Sequence, residues 1–160
     1  MGEGLLEAAL GTEQYWAGLQ AGLAEDAVLV TDSGQGPWGQ VLLTHDQMMF
    51  ADEPLALLGR NTGPPPTTIV LMALGGCTAI TLRMYAARKT WVIDRIAVRL
   101  RYEPDGTGKP DFKKIERIIE IDGPLDVEQR ARLMEIAKKC PVHQMLTGNV
   151  DVRSEFAQAS

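Results

Sequence analysis

The most constraining stretch of this chain is Thr67 to Lys89, which reads as a single long helix. Its first half, Ile69-Val70-Leu71-Met72-Ala73-Leu74, leaves no polar stripe. A helix that is apolar all round has to be buried on every side, so this half is expected in the middle of a core. Arg83, Arg88 and Lys89 gather towards its end, where cations suit the negative helix terminus. The longest unbroken apolar run, Ile69 to Leu74, falls well short of the roughly 20 residues that cross a bilayer. The reading is therefore a core helix, with no membrane as a partner.

The flanking segments follow a different rhythm. Residues 3 to 24 read as one or two helices: Leu5, Leu6, Ala9 and Leu10 recur at helical spacing, and a second helix restarts near Thr12-Glu13 with Tyr15, Trp16 and Leu19. Val28-Leu29-Val30, Val41-Leu42-Leu43 and Met48-Met49-Phe50 are short apolar runs separated by turn residues, the pattern of a strand meander. Asp52 to Pro66, with three consecutive prolines, is a loop. Beyond the long helix, Val92, Ile96, Val98, Leu100 and Tyr102 alternate with Arg95, Arg99 and Arg101. Ile115, Ile119 and Ile121 alternate with Lys114, Glu116 and Glu120, and Pro104 to Pro110 is turn chemistry. This predicts a long β-hairpin with one wet face. Asp126 to Lys139 is an amphipathic helix with an Asp126/Gln129 capping box. Residues 141–147 form a short helix stopped by Gly148, and Val150 to Phe156 alternates as a last strand. Strands and helices are segregated, so the fold class is α+β. Residues 1–25 are expected to be a helical extension and 26–160 a single domain.

Composition narrows the chemistry. With 160 residues the chain is the size of one domain. A net charge of −5 argues against nucleic-acid binding, which needs a basic face. The N-terminus is acidic and carries no secretory pattern, so a cytoplasmic location is expected. The two histidines, His45 and His143, have no metal ligand at the usual spacing, and no phosphate-binding loop or nucleophile elbow is present. No metal and no cofactor is expected.

Two cysteines remain, Cys77 and Cys140, enough for one redox couple and too few for a disulfide scaffold. Cys77 lies mid-helix behind Gly75-Gly76. Each of these glycines costs about 1 kcal/mol against alanine, so close approach by another backbone or by a substrate is expected there. Cys77 is either a small core side chain or a reactive thiol. Cys140 precedes Pro141 and is a plausible N-cap, where a thiolate is favoured. His143, if protonated, would add to that. The alternative is a buried cysteine at a helix corner. A bridge across the 63 positions from 77 to 140 would restrain the unfolded chain by about 4 kcal/mol. Asp52-Glu53, with Glu53 held extended before Pro54, orients a cation, accepts a proton or is simply solvated.

Taken together, Gly63-Pro64-Pro65-Pro66, Ala73-Leu74-Gly75-Gly76-Cys77-Thr78, Met84 to Lys89 and Cys140-Pro141-Val142-His143, with Asp52-Glu53-Pro54 upstream, resemble the OsmC/Ohr family over roughly residues 27–156. The resemblance implies an OsmC-like fold in an intertwined homodimer, with long central helices packed between antiparallel sheets. It also implies a thiol peroxidase acting on organic hydroperoxides in oxidative-stress defence. Cys77 would be the peroxidatic nucleophile, Cys140 the residue that resolves its sulfenic acid as a disulfide, and an external thiol or dithiol the reductant. Family peroxidases carry an arginine ahead of the cysteine helix and a glutamate near its start. Here no arginine precedes Arg60, and Thr67-Thr68 stand at the glutamate's place. Arg60 is accordingly the candidate cation and Glu53 its candidate orienter. The alternative implied function is an OsmC-fold protein that binds a hydrophobic small molecule beside Gly75-Gly76-Cys77.

Overall fold

The computed structural model describes residues 13–157, so the first expected helix, with Leu5 to Leu10, lies outside the described residues. The described residues divide into two compact units, one ending at Ile69 and the other beginning at Val70. In the first, helix α1 (Glu13–Ala21) accompanies an antiparallel meander of β1 (Leu29–Asp32), β2 (Gln40–Leu43) and β3 (Met48–Ala51), in the order β1-β2-β3. Val41 and Leu43, both on central strand β2, are fully buried and cluster with Trp16 of α1. The Gln20 side chain donates from Nε2 to the carbonyls of Thr44 and Gln47, at 3.1 and 3.0 Å, tying the helix to the β2–β3 turn. A short 3₁₀ turn, Leu55–Leu57, interrupts the loop that follows.

Helix α2 (Pro66–Arg88) begins at the last proline of the run, where the fixed φ and missing N–H of proline suit a first helical position. It crosses the division between the units. In the second unit it is followed by β4 (Arg95–Pro104), β5 (Pro110–Asp122), α3 (Val127–Ala137) and α4 (Pro141–Thr147). Leu74, Thr78, Leu82 and Ala86 are the buried residues of α2. Their spacing of four defines one stripe along the helix. Leu82 and Ala86 join Ile93, Leu133, Ile136 and Ala137 in the core of this unit. The capping box at Asp126 forms as predicted: its side chain accepts from the Gln129 N–H, and Gln129 accepts from the Asp126 N–H.

The hairpin register sorts the charges. Arg95 is opposite Asp122, Arg99 opposite Ile118 and Arg101 opposite Glu116, and cross-strand partners share a face. Arg95 bridges to Glu120 and Asp122, Arg99 to Glu120, and Arg101 to Glu116. This is the expected wet face. The other face carries Ile96, Ile119 and Ile121 against the core.

Three expectations need correction. Residues 150–156 form no strand; Val152 and Phe156 are exposed. Alternation alone does not make a strand where no sheet edge pairs with it. Within one chain the first half of α2 is not buried on all sides: Leu74 is buried, whereas Met72 is 54% exposed. The glycine pair also splits. A Cβ on Gly75 would lie 2.9 Å from Leu100 Cδ1, so the close approach comes from a side chain, and Gly76 faces open space. By length and composition α2 is long enough and apolar enough to cross a membrane, because Gly, Thr and Cys extend its apolar run without adding charge. Its buried stripe nevertheless packs into the core of the second unit.

Two substitutions test this packing. Asp126→Ala should lower the unfolding free energy by about 1 kcal/mol, and Leu82→Ala by about 2–5 kcal/mol, both read by urea denaturation.

Candidate active site

Cys77 lies on α2 one residue before Thr78, about 100° around the helix from the buried stripe. It is therefore half-buried at the stripe's edge, while Cys140 is completely buried; both are free thiols. Cys140 is the N-cap of α4 with Pro141 following it, and its carbonyl accepts from the Gln144 N–H at 3.1 Å. The fold brings the two thiols together as neighbours.

Their surroundings differ. Burial pushes the Cys77 thiol up, and donating its proton to Cys140 pushes it further; the Val142 N–H and Thr81 hydroxyl oppose this without reversing it. Burial also works to raise Cys140. It is outweighed by the Cys77 thiol, the His143 and Val142 N–H groups and the Thr78 hydroxyl, which leave Cys140 below the ordinary thiol value. The sulfur makes no side-chain cap hydrogen bond, and the nearby amide dipoles still favour a thiolate.

His143 contributes differently from the expectation. Burial, then the charges of Arg117 and Lys138, depress its ring. The imidazole is neutral at neutral pH, and His143 assists Cys140 through its backbone N–H rather than a ring charge.

A cation not singled out from the sequence reaches Thr78, the residue that follows Cys77. Arg117 of β5 donates from Nη1 to Thr78 Oγ1 at 3.0 Å and to the Ala137 carbonyl at 3.4 Å. Thr78 in turn donates to the Leu74 carbonyl at 2.7 Å. Arg117 thus polarises the hydroxyl that sits beside Cys140. A signal for it was present in the sequence: Arg117 occupies the same phase as Ile115, Ile119 and Ile121, a charge where the alternation calls for an apolar residue.

Glu53 and Arg60 belong to the first unit, on a loop organised by Asp52. The buried Asp52 carboxylate accepts from the Glu53 N–H at 2.8 Å, the Arg60 N–H at 2.9 Å, and the Thr62 N–H and hydroxyl at 3.1 Å each. Burial works to raise Asp52, but these donors win and hold it below the usual carboxylate value. Gly59 passes so close to the Glu53 carbonyl that a Cβ there would collide with it. The loop therefore fixes the backbones of Glu53 and Arg60, and Asp52 is the structural member of the Asp52-Glu53 pair. Among the described residues no group of three or more His, Cys, Asp or Glu side chains is placed to hold a metal ion.

The family model for OsmC-like proteins matches residues 59–155. The chain belongs to the OsmC-like protein family. Solved structures agree on the fold. An OsmC-like protein from Mycoplasma pneumoniae is 18% identical, with 76% of this chain and 85% of that one covered and a TM-score of 0.59. An organic hydroperoxide resistance protein OsmC from Legionella pneumophila is 18% identical over 81% of this chain and 96% of that one, TM-score 0.53. An OsmC-like protein of unknown function from Vibrio cholerae is 12% identical over 76% and 93%, TM-score 0.56. No curated protein matches the sequence. At these identities the likeness to the solved structures carries the OsmC-like fold alone.

Two predictions follow from the electrostatics. Thr78→Val should move the Cys140 thiol upward, seen as a higher midpoint in thiolate absorbance against pH. Asp52 is depressed on folding, so its stabilising contribution is complete above the unfolded aspartate value of about 3.9 and is lost as pH falls through the folded value. Asp52→Asn should therefore lower the thermal midpoint at neutral pH and flatten its decline in acid.

Proposed function

We propose that this OsmC-like chain is a cytoplasmic thiol peroxidase, reducing organic hydroperoxides with Cys77 as nucleophile and Cys140 as resolving residue. The observation that carries the reading is the meeting of the chain's two thiols, one half-buried on the central helix and one buried at a helix junction.

The pair reacts as a single anion. Cys77 is the more exposed sulfur and meets the peroxide. It passes its proton to the Cys140 thiolate and attacks the terminal peroxide oxygen. The O–O bond breaks, giving the Cys77 sulfenic acid and an alkoxide. The alkoxide takes the proton from Cys140 and leaves as the alcohol. The Cys140 thiolate then attacks the sulfenic sulfur, forming the Cys77–Cys140 disulfide and expelling hydroxide, which is protonated to water. An external thiol or dithiol supplies the two electrons that restore both thiols. In this reading the buried Cys140 serves first as base and then as resolver, so a raised Cys77 thiol is no obstacle.

Arg60 and Glu53 enter this proposal as accessory charges presented by the Asp52 loop. Arg60→Ala and Glu53→Gln should each lower kcat/KM if they serve the thiols, and leave it unchanged if the loop is purely structural. We also propose a homodimer: Met72, Ile80 (62% exposed) and Met84 (59%) leave apolar surface along α2, which a second copy would bury. Light scattering on Ile80→Glu should show a monomer where the wild type is a dimer. The open space at Gly76 favours the second reading, a small-molecule binder, only if the thiols prove inert.

The deciding experiment treats reduced protein with one equivalent of cumene hydroperoxide. Wild type should lose two hydrogens in mass and both free thiols. Cys140→Ser, which lacks both the base and the resolver, should react much more slowly and stop at a trappable sulfenic acid, and Cys77→Ser should not react. The rate should fall as pH drops through the depressed Cys140 value. Survival of both thiols, or a Cys77→Ser variant as fast as wild type, would sink the peroxidase reading.

A further inference from the structure

The charges of the hairpin are neutralised on one face only. On the outer face each arginine has its carboxylate. On the inner face Arg117 stands opposite Leu100, and its hydrogen-bond acceptors are neutral, the Thr78 hydroxyl and the Ala137 carbonyl. Both are reached from Nη1, which leaves the rest of the guanidinium fork available. Lys113 lies where the hairpin register shifts, between the Tyr102–Ile115 and Glu103–Asp111 pairs, and it lines the same cavity as Ile115 and Arg117. Among the described residues neither cation has a carboxylate at ion-pair distance; the neighbouring bridge to Asp111 is made by Lys114.

These two cations open onto one cavity of about 330 Å³. Lys113, Arg117 and His143 line part of it, and Leu74, Met134 and Leu146 supply apolar wall; no acidic residue lines it. Its size is at the lower end for small-molecule sites, which run from about 300 to 1,000 Å³. A guanidinium with unspent donors in a half-buried, partly apolar setting is completed by an anion, and its planar fork matches the two oxygens of a carboxylate. The apolar wall calls for a hydrocarbon body on that carboxylate.

We propose that this cavity binds a small carboxylic acid, its carboxylate held by Arg117 and Lys113 and its apolar body against Leu74, Met134 and Leu146. The site stands apart from the peroxidase reading, because it needs neither thiol. It bears on the thiols all the same, since a bound carboxylate draws on the guanidinium that steadies Thr78 beside Cys140.

Calorimetric titration of the reduced wild-type protein with hexanoate, without peroxide, tests it, with 1-hexanol as the neutral twin. Hexanoate should bind at least about tenfold more tightly than hexanol, as expected for a charge-assisted contact. Lys113→Gln and Arg117→Gln should each lose most of that preference, and Arg99→Gln on the outer face should keep it. Lys113 is exposed, so its variant reports on binding even if Arg117→Gln disturbs packing. Equal affinity for hexanoate and hexanol, no binding of hexanoate, or unchanged hexanoate affinity in Lys113→Gln and Arg117→Gln would overturn the proposal. Each result is independent of whether the thiols reduce a hydroperoxide.

Discussion

Burial of the stripe Leu74, Thr78, Leu82 and Ala86 sets the rotation of α2 about its own axis, and the site depends on that rotation. Each residue turns the helix by about 100°. With Thr78 at the centre of the buried stripe, Cys77 must fall at its margin, near the core yet partly open. A rotation by one residue would either bury Cys77 completely or remove it from Cys140. Leu82 and Ala86 lock the angle because they interdigitate with Leu133, Ile136 and Ala137 of α3, and close packing tolerates no such rotation.

Thr78 is the polar member of that stripe, and the electrostatics converge on it. Its hydroxyl donates to Leu74, accepts from Arg117 and sits beside Cys140. A buried hydroxyl needs such partners. Satisfying it places a guanidinium on the inner face of a hairpin whose remaining arginines are paired with acids on the outer face. The two thiols consequently share unequal surroundings.

Much of the fold was legible in the sequence because local patterns report it directly. The Asp126/Gln129 capping box, the proline at the start of α4 and the alternation of the hairpin are short-range signals, and each element formed where its signal lay. Val150 to Phe156 carried the same kind of alternation and formed no strand, because a strand also requires a neighbouring edge, which is a long-range condition. The first half of α2 shows the same limit. Its composition says that it avoids water, and it does not say which molecule covers it.

The sequence by itself determined the elements and the existence of two thiols in contrasting settings, one mid-helix and one at a proline-marked helix junction. The family resemblance also led to Arg60 as the candidate cation, since Arg60 is the arginine that precedes the cysteine helix. Only the tertiary structure decided that Cys77 and Cys140 are neighbours across 63 positions, that burial and nearby cations depress the His143 ring, and that Arg117 reaches Thr78. The reason is physical: proximity between residues on a strand, a central helix and a helix junction arises from packing. A thiol's charge state depends on the donors, cations and burial that packing supplies.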